Sequence, residues 1–366
     1  MQNNNHESVV QTFLDLVQID SPTGEEEHVA NYIKKYLTQL DIPNHVDSVG
    51  NVIARLEGNE DFDTHLLASH MDTVEPGRGV KPIVGDDGWI RSDGTTILGA
   101  DNKAGVAILL QTLSEVHTEP KNSRIPLDIV FTVSEESENI GALNLDYGQI
   151  KATQGYSFDT AGPLGGMTIA SPAYTRFTAD ILGKSAHASR PEEGKNILPA
   201  LIDLLAQIRV GKVDSDTLVN IGTGKFGSTT NSVPGMASIV GEIRSMDEKN
   251  IHAVLANLDH LTQEIIAKHA VEVKLNSVRE NGALNINRND SFVAATLGIV
   301  SELIPGAHIK DSGGCSDANI FIEHGIPVIN IGDGSLHPHA LTETIHRDSL
   351  TKMVRVVRKL VTRNNY

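Results

Sequence analysis

The feature that most constrains this chain is a change of texture that begins near Ser171 and ends near residue 280. Within it, residues 174–182 read as a strand and 196–208 as an apolar-periodic helix. Strands follow near Val219 and over 238–244, then a helix over 249–269 and a strand over 271–275. That β-α-β-β-α-β order is the split βαβ, ferredoxin-like pattern. The flanks read differently. Strand-like runs at 51–56, 64–69 and 127–133, with a helix at 104–117 between the last two, favour an α/β domain. Its sheet is mixed, with helices on both faces. A helix at 290–303 and the apolar run 327–331 restore that character. The expected architecture is one α/β domain in two pieces, 1–170 and 281–366, interrupted by an inserted α+β domain over 171–280. Length agrees, because 366 residues exceed what one core usually organises.

Local signals place other segments. The run Val9-Val10-Gln11-Thr12-Phe13-Leu14-Asp15-Leu16-Val17 has helical apolar spacing and stops before the turn cluster Asp20-Ser21-Pro22-Thr23-Gly24. Glu25-Glu26-Glu27 then opens a second helix, where carboxylates suit the positive end of the dipole. This charge run therefore reads as a helix start rather than a binding patch. The chain carries 47 Asp and Glu against 30 Lys and Arg, a net charge of −17. A nucleic-acid surface should be basic, so nucleic acid is not an expected partner. Cys315 is the single cysteine, which precludes an intrachain disulfide and suits a reducing compartment. No run approaches the roughly 18 apolar residues of a membrane span, and the first seven residues lack the pattern of a leader. The expected setting is cytoplasmic, with no membrane partner.

Groups suited to metal chemistry lie in several short contexts. His70 and Asp72 stand two apart at a strand end, so both point to one face. A metal-binding imidazole usually needs a partner on its other nitrogen, and Asp72 is the candidate, although a surface pair is the commoner origin of such spacing. Asp101 follows Gly99-Ala100 and precedes a helix. It could cap that helix, or its two oxygens could bridge two ions. Glu135 and Glu136 follow a strand; one could bind metal while the other stays free as a general base, or both could belong to a solvated acidic loop with Glu138. Asp159 closes a short strand at 156–158, where Asp also serves as a turn former. His337 and His339 compete in a His-Pro-His loop. Each element alone is weak, but together they read as a two-metal hydrolase site that activates water.

The segment from Asp93 to Gly105, Asp-Gly-Thr-Thr-Ile-Leu-Gly-Ala-Asp-Asn-Lys-Ala-Gly, closely resembles the metal-binding segment of peptidase T. The ordered series of motifs resembles the M20 metallopeptidases, specifically peptidase-T-like members, over nearly the whole chain. The resemblance implies that His70, Asp101 and Asp159 bind one divalent ion and that Asp101, Glu136 and His339 bind the other. Asp101 would bridge, Glu135 would be the general base, and Asp72 would orient His70. The family's last histidine stands four residues before a Glu, a spacing that His339 and Glu343 have and His337 lacks. Ala340 departs from the Thr or Ser usual after that histidine. Lys103 receives no catalytic role. The nitrogen and oxygen donors suit zinc, with cobalt or manganese also compatible.

The interrupting segment carries further matches. Gly183-Lys184-Ser185-Ala186-His187-Ala188 and Glu192-Glu193-Gly194-Lys195-Asn196 look like the M20 lid signature. Residues 171–280 would then be a lid that can also join two protomers of a homodimer. In family dimers the matching histidine, here His187, reaches the neighbouring active site and can stabilise an oxyanion. Asn231-Ser232-Val233-Pro234 and Arg244 match the lid pattern and would contact polar groups of the substrate. Arg244 could fork onto a carboxylate, although a structural ion pair suits it nearly as well. The stretch from Ser312 to Ala318 resembles the family's Gly-rich substrate loop, where Gly313 and Gly314 would let backbone approach the ligand. Cys315 reads as a small packing residue. The implied activity is release of the N-terminal residue from a short peptide. The same chemistry on another amide (carboxypeptidase, dipeptidase or N-acyl-amino-acid deacylase) is the alternative. A non-catalytic peptide-binding protein is a third reading, which the intact ligand set disfavours.

Overall fold

The computed structural model describes residues 2–362. The chain divides into two compact units. Residues 2–170, 286–312 and 316–362 form the first, and residues 171–285 with 313–315 form the second. Residues 1 and 363–366, at the ends of the expected α/β pieces, lie outside the described residues.

The first unit is built on a mixed sheet. Across it run Asn44–Val46, Val52–Leu56, Leu127–Thr132, His65–His70, Gln154–Ser157, Val328–Ile331 and Gly166–Ser171, with His308–Asp311 beside the last. The four strands from Leu127–Thr132 to Val328–Ile331 are mutually parallel. His70 is level with Thr132, and Ala68 with Ser157. Their carboxyl ends therefore share one edge, the place where open α/β sheets bind ligands. Leu127–Thr132 and His65–His70 are buried at every residue. That is the mark of central strands covered on both faces, and it explains their apolar runs.

Helix Ala100–Val116 crowds this edge. Gly99 precedes it in the left-handed region, at φ 73. A Cβ added at Gly105 would lie 2.3 Å from Asn102 Oδ1 and 2.7 Å from Ser69 Oγ, so glycine is what lets the helix approach the strand end. The sequence pattern predicts this helix from residue 104, and it begins at Ala100. Asp101 (φ −80, ψ 104) and Asn102 (φ −118, ψ 30) depart from helical values, and their shared peptide is cis. Asp101 is therefore not the helix cap; that position belongs to Gly99, and no side chain caps it. Helices Gln2–Val17, Ala100–Val116 and Arg347–Val361 pack on one another. Phe13, Leu16, Leu110, Leu113, Met353 and Val357 are fully buried, each contributing about 1.5–3 kcal/mol. A small sheet orders Ser335–Leu336, Thr344–His346, Trp89–Arg91 and Ile83–Val84. The turn between its first two strands carries His337, His339 and Glu343.

The second unit is an antiparallel sheet in the order Gly211–Lys212, Thr217–Phe226, Met236–Ser245, Ala173–Leu182 and Glu272–Asn281. Burial alternates along Ala173–Leu182 and Met236–Ser245, so one face is packed. Helices Leu198–Gln207 and Glu248–His269 supply Leu201, Leu204, Leu258 and Ile265 to a core with Phe177, Ile181 and Ile243. Asp247 caps the longer helix by accepting from Lys249 N at 2.9 Å. Among the described residues no helix is long and apolar enough to cross a membrane.

Candidate metal centre

His70, Asp101, Glu135, Glu136, Asp159 and His339 converge at the shared strand edge of the first unit. His70 ends its strand with the ring buried. Its Nε2 lies 3.1 Å from Asp101 Oδ1, 3.5 Å from Asp159 Oδ1 and 3.9 Å from Glu135 Oε2. Its Nδ1 lies 3.1 Å from the Asp72 carbonyl oxygen and 3.3 Å from Asp72 Oδ1. His339 Nε2 lies 2.7 Å from Glu136 Oε1 and 3.4 Å from Asp101 Oδ2. Asp101 thus turns one oxygen to each imidazole. Of the two histidines in the loop, it is His339 that meets the carboxylates.

Four carboxylates crowd this small, mostly buried space. Burial, with the charges of Asp101 and Glu136, pushes Asp159 up to about 8 against the pull of His70. Burial and then the Asp159 charge hold Glu135 well above the usual carboxylate range. Hydrogen bonds to Asp101 and Glu136 raise His339 to about 10. Burial opposes a charge on His70, but Asp101, Asp159 and Asp72 outweigh it and hold its pKa well above the ordinary value. Burial also opposes a charge on Asp101, yet His339 and His70 keep its carboxyl well below the usual range. Such a cluster calls for more positive charge than two imidazoles bring.

The donor set fits divalent metal ions. Donor atoms of His70, Asp101 and Glu136 all lie within 4.8 Å of one another. Tetrahedral bonds of about 2.0–2.1 Å put neighbouring donors about 3.3–3.4 Å apart. The His70–Asp101, His70–Asp159 and His339–Asp101 separations of 3.1, 3.5 and 3.4 Å are of that size. The 2.7 Å between His339 and Glu136 is shorter, a direct ion pair.

Buried acceptors hold this arrangement, and the sequence reading missed most of them. Asp72 is buried; Oδ1 accepts from Glu135 N at 2.9 Å, and Oδ2 from Glu136 N at 3.2 Å and Thr23 Oγ1 at 2.8 Å. It therefore fixes the glutamate pair as well as facing His70. The second helix begins at Glu27, the last residue of the acidic run, so Glu25 lies outside it and Glu26 is its N-cap residue, buried rather than solvated. Its Oε1 accepts from Gly24 N, Ser134 N and Ser134 Oγ at 2.9, 3.0 and 3.0 Å. Ser134 is held there at φ 52. In the sequence Glu343 is marked only by its spacing from His339. Its Oε2 accepts from Leu98 N and Gly99 N at 2.8 and 2.7 Å, and its Oε1 from Asp101 N at 2.9 Å. Burial raises its pKa to about 7. Asn330, which no local pattern marks, accepts from Asp159 N at 2.8 Å and donates to Ser316 Oγ at 3.3 Å. Lys103 is buried and donates to the Ile19 carbonyl at 2.5 Å; burial lowers its pKa to about 8.

The remaining candidates belong to the second unit. His187 ends the short strand Ala186–His187, paired with Ser232–Val233, and its Nδ1 lies 2.7 Å from Ser189 Oγ. Asn231 is exposed, and its carbonyl accepts from Ala188 N at 2.8 Å. Arg244 is already engaged: it pairs with Glu242 at 3.0 Å, donates to the Gly313 carbonyl at 2.9 Å and sits 5.0 Å from the Tyr174 ring centroid. Gly313 and Gly314 are exposed. Cys315 Sγ donates to the Pro172 carbonyl at 3.2 Å, and burial raises its thiol pKa.

Residues 66–363 match the family described as Peptidase family M20/M25/M40. The chain is 32% identical over 364 residues to the uncharacterized protein YqjE of Bacillus subtilis (strain 168), covering 96% of this chain and 97% of that one. Its fold is similar to the crystal structure of a tripeptidase from Staphylococcus aureus subsp. aureus Mu50, with a TM-score of 0.90, 32% identity and 97% of each chain covered. It is also similar to the crystal structure of aminopeptidase PepT from Bacillus cereus ATCC 10987. That match has a TM-score of 0.87 and 32% identity, covering 97% of this chain and 98% of that one.

Proposed function

The chain belongs to peptidase family M20/M25/M40, as a peptidase-T-like member, and from that premise we propose that it releases the N-terminal residue from short peptides by metal-dependent hydrolysis. The observation that carries the reading is Asp101, whose two oxygens address His70 and His339 separately. In this reading His70, Asp101 and Asp159 hold one divalent ion, and Asp101, Glu136 and His339 the other. Zinc suits these donors, with cobalt or manganese compatible. The ions would polarise the scissile carbonyl and lower the pKa of a water.

Glu135 is the base. It takes a proton from the attacking water as the new C–O bond forms at the carbonyl carbon. It then returns that proton to the departing amine as the C–N bond breaks, so no proton is gained or lost. Asp72 keeps the His70 ring in place and ties down the backbone of Glu135 and Glu136. Residues 171–280 are the lid in this reading. Its His187 is a donor to the oxyanion, and Asn231, Arg244, Gly313 and Gly314 meet polar groups of the peptide. Those lid roles rest on the resemblance of their motifs. The similar Bacillus cereus protein is an aminopeptidase, which supports action at the amino end, and the similar Staphylococcus aureus protein is a tripeptidase, which supports a short peptide.

The test is a tripeptide panel with free, N-acetylated and C-amidated ends, given to the metal-loaded protein and to Glu135→Gln. Free and C-amidated peptides should lose their first residue, and the acetylated peptide should survive. Glu135→Gln should retain both ions and lose about 10²–10⁴-fold in kcat. Release of the last residue from the acetylated peptide would instead establish a carboxypeptidase.

A further inference from the structure

Two buried polar residues, Asn139 and Asp317, have no part in the chemistry above. Asp317 is the first residue of helix Asp317–Glu323. Its Oδ2 accepts from Thr132 Oγ1 at 2.5 Å, at the end of the strand that leads to Glu135. Its Oδ1 accepts from Asn139 Nδ2 at 3.1 Å. The same Nδ2 lies 3.4 Å from Glu135 Oε1. An amide nitrogen carries two hydrogens, so Asn139 forks between two carboxylates. Asn139 stands at φ 50, a left-handed conformation that Asn tolerates better than most residues with a Cβ.

The two oxygens of Glu135 are thereby distinguished. Oε1 is turned to Asn139, while Oε2 is the oxygen 3.9 Å from His70 Nε2, facing the cluster. A glutamate side chain has three rotatable bonds, and a base displaced by about 1 Å can cost about 10²-fold. We propose that Asn139, itself held by Asp317, is a positioning residue that fixes the rotamer of Glu135 and keeps Oε2 turned toward the reacting water. This rests on Glu135 being the base. Asn139 touches neither water nor substrate in this scheme, and Asp317 serves it by holding its amide. The 3.4 Å contact is long for a hydrogen bond, but such contacts often tighten when substrate binds.

The test uses the full-length, metal-loaded protein. Asn139→Gly removes the amide while preserving the left-handed backbone, and Asp317→Asn removes the charge that holds the amide. Each should lower kcat by about 10–100-fold, the size of a lost bond to a charged group, with KM moved less than about twofold. Metal content and thermal unfolding should stay close to those of the unaltered protein in at least one of the two. The decisive arm is the double variant. If Asn139 acts through Glu135, adding Asn139→Gly to Glu135→Gln should cost nothing further. Multiplying losses would overturn the positioning role, as would a changed KM or metal content with kcat intact. Glu135→Gln alone separates the two claims. Full turnover there overturns the base assignment and this inference with it. Lost turnover there, with unchanged turnover in Asn139→Gly, overturns only the inference.

Discussion

Glu343→Ala should destabilise the first unit more than any change at an exposed carboxylate. The side chain is buried and is the acceptor for three backbone donors, Leu98 N, Gly99 N and Asp101 N. Each orphaned buried donor costs about 1–3 kcal/mol, so three give a range of about 3–9 kcal/mol. Water admitted into the vacated space relieves part of this, and a loss of about 3–5 kcal/mol is expected. Glu343→Gln should cost about 1–3 kcal/mol. Its amide oxygen can serve the two donors at Oε2, but its amide nitrogen then faces Asp101 N–H. Equilibrium urea unfolding reads both, followed by the fluorescence of Trp89. That residue is the single tryptophan, and its strand pairs with Thr344–His346. Metal content should fall in both variants, because Asp101 loses the anchor of its backbone. Unfolding of Glu343→Ala within about 1 kcal/mol of the unaltered protein, with full metal content, would refute the reasoning.

Asp101→Ala should lose more bound metal than Asp159→Ala, because among the described residues Asp101 is the one carboxylate that faces both histidines; elemental analysis showing full occupancy without Asp101 would contradict the bridge. His339→Ala should weaken metal binding and abolish turnover while His337→Ala does less, since His339 is the one beside Glu136 and Asp101. Mixing His187→Ala with Glu135→Gln protein should restore part of the activity if a paired lid supplies His187 to the neighbouring site; no recovery after verified subunit exchange defeats that arrangement. Phe177→Ala should cost the second unit about 3–5 kcal/mol, since the ring is buried in its core, and calorimetry would show whether that unit melts earlier.

Much of the architecture was legible because it is written locally. The strand-helix order of residues 171–280 shows in hydrophobic periodicity, and the observed elements from Ala173–Leu182 to Glu248–His269 fall close to the expected ranges, while the last strand, Glu272–Asn281, runs well past its expected end at 275. Boundaries moved where backbone geometry was special, as at Asp101, which was open to reading as a cap. The candidate donors were readable for a different reason. Each sits in a short motif whose order along the chain carries the resemblance, although a single carboxylate near a strand end says almost nothing.

The supports around those donors were out of reach of the sequence because they join residues distant along the chain. Glu26 meets Ser134 across 108 positions, Asn139 meets Asp317 across 178, and Glu343 meets Gly99 across 244. Periodicity reports which face of an element is apolar, but not which loop will lie against which. That was decided by the sheet order, which sets Leu127–Thr132 beside His65–His70 and Val328–Ile331 beside Gln154–Ser157. Once four parallel strands end on one edge, their following turns must share one small volume. A buried carboxylate there has to find donors, and it finds them on whichever turn the topology has placed within 3 Å. Glu26 thus reads as a helix-start charge in the sequence and acts as a backbone acceptor in the fold. The helix it precedes was predictable from its own residues, but its partner was not.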